Sequence, residues 1–272
     1  MKFETVMSLF FYPKLALLAL ASVIALYAKP LLASTIQQTP IERIAFGSCA
    51  DPQESLAIFD TITQENPDIF VFLGDNVYAV DESDDPLLRS LTEAYDALGN
   101  SPAFQRLSAK IPLFATWDDH DYGRNNAGAE YELKEVTRDL ALSFMEVPIG
   151  DPRWQREGLY GAYDFGTNGK MTKVILLDNR YFASGKKTDN PELLGQEQLA
   201  WLETTLRESE ADLHILVSGI QIISEEHRWE KWADYPKTRA YLLRKIAETQ
   251  TPTILLSGDR HIHEISVLQD WA

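Results

Sequence analysis

Five short, largely apolar runs in this 272-residue chain each close on a residue able to bind an ion. They are Ile41–Phe46, Asp68–Leu73, Ile111–Thr116, His214–Val217 and Thr253–Leu256. A run without apolar/polar alternation belongs to a strand covered on both faces. Segments of helical periodicity lie between these runs, which predicts an α/β fold with helices packed on sheets. In such folds ligands bind beyond the carboxyl ends of the strands. Here those ends carry Cys49, Asp75, Asp119 with His120, Gln221, and Asp259 with His261. Most strands end in plain turn residues, so five such endings point to one common site. Gly47, Gly74, Gly219 and Gly258 are expected to let the backbone approach a bound ion.

The intervening helices are expected over residues 51–64, 86–98, 102–109, 130–145, 195–206 and 237–248. Asp51, followed by Pro52 and Glu54, reads as the N-cap of the first, and Asp85 and Ser101 as caps of the next two. Residues 159–165 and 173–177 read as adjacent strands joined through Gly166 and Gly169. No repeat, low-complexity tract or linker divides the chain.

The stretch Trp117-Asp118-Asp119-His120-Asp121 joins charged residues directly to an apolar run. Hard oxygen ligands, an imidazole and a carboxylate to orient it are the parts of a metal site with an acid or base beside it. A capped, solvated loop is the alternative for that stretch. Asp75 is assigned as a carboxylate shared by two cations, a pairing that activates water for displacement at phosphorus. Cys49 and Tyr78 suit a transition metal, above all ferric iron; carboxylate and amide oxygens suit calcium, magnesium or manganese. His120 is assigned as the acid or transition-state stabiliser, with Asp121 holding its ring. His261 has better spacing from Asp259 than His263, while His214 and His227 read as structural. Arg124, Arg180, Arg260, Asn125 and Asn126 could each meet a phosphate oxygen, or serve as surface or capping residues. Trp229, Trp232 and Tyr235 could roof the site or simply pack.

With 41 acidic and 25 basic residues, the formal net charge is −16, which argues against a nucleic-acid surface. The run Asp81–Asp85 reads as a solvated acidic loop. The uncharged apolar run Leu15–Ala28 follows Lys14, with Ala28 and Ala33-Ser34 as cleavage candidates. Residues 1–34 therefore read as a signal peptide or an uncleaved membrane anchor, leaving 35–272 as one exported domain, periplasmic or extracellular. Cys49 is the only cysteine, so the chain holds no internal disulfide.

Taken in order, Gly47-Ser48-Cys49, Gly74-Asp75-Asn76-Val77-Tyr78, Trp117-Asp118-Asp119-His120-Asp121 and Gly258-Asp259-Arg260-His261 resemble the PhoD-like (alkaline phosphatase D) branch of the metallophosphoesterases. The resemblance runs from about Ile41 to Ser266 and implies a four-layer αββα sandwich of mixed sheets. It also implies hydrolysis of phosphate monoesters or diesters at a dinuclear site, with Fe3+ and Ca2+ as the metals, Mn2+, Mg2+ or Zn2+ being alternatives. It makes Cys49, Asp75, Tyr78 and Asp259 ligands of the iron-like site. Asp75, Asp119 and His261, with Gln221, would serve the second, and Asn125 and Arg260 the substrate. Asp119 stands where the wider superfamily has Asn, and no twin arginine marks the leader. Relatives usually continue with further strands of the second sheet, so the chain is either a compact variant or one whose second sheet is incomplete after Ala272. That leaves a catalytically disabled, cation-binding scaffold as the rival reading.

Overall fold

The computed structural model describes residues 39–79, 88–167 and 169–268. The apolar leader, the acidic run 81–85 and the proposed Asp85 cap lie outside them.

Three parallel strands form the first sheet: β1 (Ile44–Gly47), β2 (Ile69–Leu73) and β3 (Leu113–Thr116), in that order. Four form the second: β4 (Gly161–Phe165), β5 (Thr172–Leu176), β6 (Leu213–Ser218) and β7 (Thr253–Ser257). β4 runs antiparallel to β5, and β5, β6 and β7 run parallel, so this sheet is mixed.

The strand faces explain the layers. Ile69, Val71 and Leu73 of β2 pack against Val174 and Leu176 of β5 and Ile215 and Val217 of β6, joining the sheets face to face. On the opposite face, Phe70 and Phe72 of β2 meet Phe59 of helix α1 (Ile58–Glu65), Leu91 and Leu98 of α2 (Arg89–Asn100) and Phe104 and Leu107 of α3 (Pro102–Lys110). The outer face of the second sheet, Ile175 and Leu216, is covered by Leu202 and Leu206 of α6 (Gly195–Arg207) and Leu242 and Ile246 of α7 (Pro236–Thr249). Period-two side chains thus feed two cores at once, and the expected αββα sandwich follows. The one-turn α4 (Asp119–Tyr122) directly follows β3, and α5 (Lys134–Phe144) packs near α2.

Some expected boundaries moved. α1 begins at Ile58 because Asp51 forms a turn instead: its Oδ1 accepts from Gln53 N at 2.9 Å and its carbonyl from Glu54 N at 3.0 Å. α5 begins four residues after the expected start. β1 and β7 are edge strands, with Phe46 53% and Ile254 49% exposed, so the second sheet ends at β7 among the described residues. Among those residues no helix is long and apolar enough to cross a membrane.

Candidate metal centre

All the parallel strands point their carboxyl ends the same way within each sheet, and the loops there converge. Cys49 follows β1 and is tied to the next loop by Cys49 N to Gly74 O (3.3 Å) and Ala50 N to Asp75 O (2.9 Å). Gly258 N donates to Gly219 O at 2.9 Å, joining the loops after β7 and β6. Two triads of ligand atoms result, each with all members within 4.8 Å of one another: Cys49, Asp75 and His261, and Asp75, Asp118 and Asp259. Asp75 belongs to both.

Backbone conformation is unusual here. Cys49 (φ 62°), Asp75 (φ 49°), Asp259 (φ 70°) and His261 (φ 51°) all lie in the left-handed region. L-residues avoid it at a cost of about 1–2 kcal/mol each, and such strain gathers at functional sites.

The first triad is mixed in chemistry. Cys49 Sγ lies 3.6 Å from Asp75 Oδ2, and Tyr78 Oη lies 2.9 Å from His261 Nε2. His261 therefore groups with Cys49 and Tyr78 rather than with Asp119. The second triad is all carboxylate. Asp118 Oδ2 and Asp259 Oδ2 are buried and accept no hydrogen bond among the described residues. Buried carboxylates without partners are costly, and a cation is the group that satisfies them.

Titration agrees. Burial, then the charges of Asp119 and Asp121, push Asp75 up to about 8. Burial, then Asp119, pushes Asp259 up to about 6. Burial foremost raises the Cys49 thiol to about 12, and burial, then Asp75, raises Tyr78. Without a cation these acids resist shared ionisation; the donor set fits a pair of metal ions.

His120 donates its backbone N–H to Asp75 Oδ1 at 3.3 Å, and its half-buried ring faces the Tyr78 ring at 4.4 Å between centroids. Asp121 does not hold that ring. Its Oδ1 accepts from Asp118 N at 2.6 Å, and its Oδ2 accepts from the backbone and side-chain amides of Asn76. Its role is to fix the turn of α4 against the loop after β2. Asp119 is buried, with Oδ2 accepting from Asn126 N at 2.6 Å. Gln221 donates its amide to Glu264 at 3.3 Å and accepts from Arg260 at 3.4 Å. Asn125 is exposed, and the Arg260 guanidinium lies 5.8 Å from the Trp229 ring centroid.

Two further expectations change. Arg180 is neither a surface nor a phosphate-facing residue. It is fully buried, with Nε 2.5 Å from Asp118 Oδ1 and Nη1 2.7 Å from Glu230 Oε2. Trp232 and Tyr235 belong to the core beneath the second sheet, and only Trp229 of that trio is exposed. Three of the four strand-end glycines also make room for protein atoms. A Cβ on Gly74 would sit 2.7 Å from Asp118 Cβ, one on Gly219 would sit 2.8 Å from Asp118 Oδ1, and one on Gly258 would sit 2.7 Å from Ser48 Cβ. His214 is structural as expected, buried in β6 with Nε2 2.8 Å from Ser209 Oγ.

A family model for PhoD-like phosphatases matches residues 44–271, and the chain belongs to that family. No curated protein matches it. Among solved structures it is similar to PhoD, at 20% identity over 82% of this chain and 52% of that one, TM-score 0.65. It thus spans about half the length of that structure, and the likeness is one of fold. A dimetal phosphatase from Danio rerio matches at 13% identity over 80% of each chain, TM-score 0.49. GAP50, the anchor in the inner membrane complex of Plasmodium, matches at 15% identity over 78% of this chain and 64% of that one, TM-score 0.46.

Proposed function

We propose that this chain hydrolyses phosphate esters, mono- or diesters, at a dinuclear metal centre built around Asp75. The observation that carries the reading is the sharing of Asp75 by two ligand triads of different chemistry. Cys49, Asp75 and His261, with Tyr78 beside them, suit a transition metal such as Fe3+; the carboxylates suit Ca2+, Mg2+ or Mn2+. Such a pair, when bound, activates water and neutralises charge on the phosphoryl oxygens.

The chain's own groups do the rest. The His120 backbone N–H fixes Asp75, while the His120 ring, propped on Tyr78, gives a proton to the leaving oxygen. Asp121 and Asn76 lock α4 so that the ring keeps its place. Arg260 and Asn125 are assigned to the substrate phosphate. The apolar leader adds export to the proposal.

The test is hydrolysis of aryl phosphates and diesters by metal-loaded protein, before and after chelation, with His120→Ala alongside. Activity should vanish on chelation. His120→Ala should lower turnover about 10²–10⁴-fold at unchanged metal content. Folded, metal-loaded protein that turns over neither ester class would leave the disabled scaffold as the better description.

A further inference from the structure

Asp118 was not among the ligands expected from the sequence, yet it stands in the all-carboxylate triad and its surroundings are unusually specific. It is 0% exposed. Gly74 and Gly219, at the ends of β2 and β6, leave just enough space for it: a methyl group on either would overlap it, at 2.7 and 2.8 Å. Its Oδ1 is held by Arg180 Nε at 2.5 Å. Its Oδ2, buried, accepts from no donor among the described residues, and a carboxylate oxygen of Asp118 lies within 4.8 Å of ligand atoms on Asp75 and Asp259.

Arg180 is itself gripped from the far side. Glu230 Oε2 accepts from Nη1 at 2.7 Å, and Glu230 Oε1 accepts from Tyr235 Oη at 2.7 Å. One guanidinium thus stands between two buried carboxylates, leaving the group one negative charge in excess. With the acids ionised, that charge is uncompensated at Asp118, whose carboxylate stands beside those of Asp75 and Asp259. Burying an unpaired charge is expensive, and a cation at that point offsets it.

We propose that Asp118 is a direct ligand of the harder of the two cations, through Oδ2, with Arg180 as its positioning residue. The inference rests on the metal centre proposed above. Three carboxylates form an all-oxygen set of the kind that takes Ca2+, Mg2+ or Mn2+. The rigid guanidinium fork fixes which oxygen of Asp118 faces the ion. Glu230 and Tyr235 extend that support to the start of α7, so the ion is braced from the second sheet as well as the first.

The test is titration of metal-free protein with Ca2+, comparing wild type with the double variant Asp118→Asn/Arg180→Gln. A single Asp118→Asn change removes a negative charge and leaves Arg180 paired with Glu230 alone, so it weakens cation binding on any account. The double variant removes one charge of each sign and leaves local net charge unchanged. If Asp118 merely neutralises Arg180, the double variant binds Ca2+ as wild type does. If Asp118 is a ligand, affinity falls at least tenfold. An affinity within twofold of wild type overturns this inference alone. Wild type that takes up no Ca2+ overturns the metal centre and this inference with it. Should the double variant fail to fold, a crystal structure of Ca2+-loaded wild type decides. Asp118 Oδ2 within about 2.6 Å of the ion supports the assignment, and beyond about 3.5 Å overturns it.

Discussion

Metal binding at this centre should be steeply dependent on pH, and the size of the effect follows from three groups. In the metal-free protein the Cys49 thiol sits at about 12, Asp75 at about 8 and Asp259 at about 6. Ligands must lose their protons to bind, so binding releases them. At pH 7 Cys49 gives up about one proton, Asp75 about nine-tenths of one and Asp259 about a tenth, roughly two in all. Raising the pH from 7 to 8 should therefore strengthen Zn2+ binding about 60-fold. The assay is calorimetric titration with buffered Zn2+ at the two pH values. Repeating it in buffers of different ionisation heat counts the released protons directly. Cys49→Ser removes the thiol's share and should reduce the pH effect to about sixfold. A change of less than threefold in wild type would refute the argument, because the buried acids would then be ionised before the metal arrives. An undiminished effect in Cys49→Ser would remove Cys49 from the ligand set.

The same groups set the stability of the metal-free protein. Asp75, Asp121 and Asp259 titrate above their unfolded value of 3.8. Their contribution is thus full below about pH 4 and is lost as pH rises through about 6 and about 8. The melting temperature without metal should fall from pH 5 to 9, and saturating metal should restore it at the alkaline end; a rise across that window would contradict the shifts. Gly219→Ala would place a methyl 2.8 Å from Asp118 Oδ1 and 3.1 Å from Trp117 O. It should cost about 1–3 kcal/mol in denaturant unfolding. Gly150→Ala, with nothing within 4 Å, should stay within about 0.5 kcal/mol. Equal effects from the two would mean that Gly219 is not there to clear space.

How much of this was legible in the sequence depended on distance along the chain. The strand ends were readable because apolar run and ligand are neighbours: Ile69–Leu73 leads within two residues to Asp75. The sandwich was readable because β2 and β5 are apolar on both faces. Arg180 was misread because its partners lie 62 residues before it and 50 after it, and no local spacing records them. Asp118 was hidden by its neighbours, since an acid beside Asp119 and His120 reads as part of their loop. Asp121 was misassigned because adjacency to His120 suggested contact. A single helical turn instead swings its carboxylate back to Asp118 N and Asn76. The start of α1 failed because an Asp followed by Pro serves a side-chain turn as readily as a helix cap.

The left-handed backbone at Cys49, Asp75, Asp259 and His261 also limits which sequences could ever occupy this centre. Only glycine enters that conformation freely, and among side chains Asn and Asp tolerate it best. Asp75 and Asp259 are thus chosen twice, for a carboxylate and for a bend. Exchange to Glu keeps the charge but loses the tolerance, and a β-branched residue loses both. Asn is accordingly the substitution that isolates ligand chemistry at these two positions. His261 shares some of that tolerance, but at Cys49 no side chain combines the sulfur donor with ease of the bend, and the backbone strain is inseparable from the ligand itself.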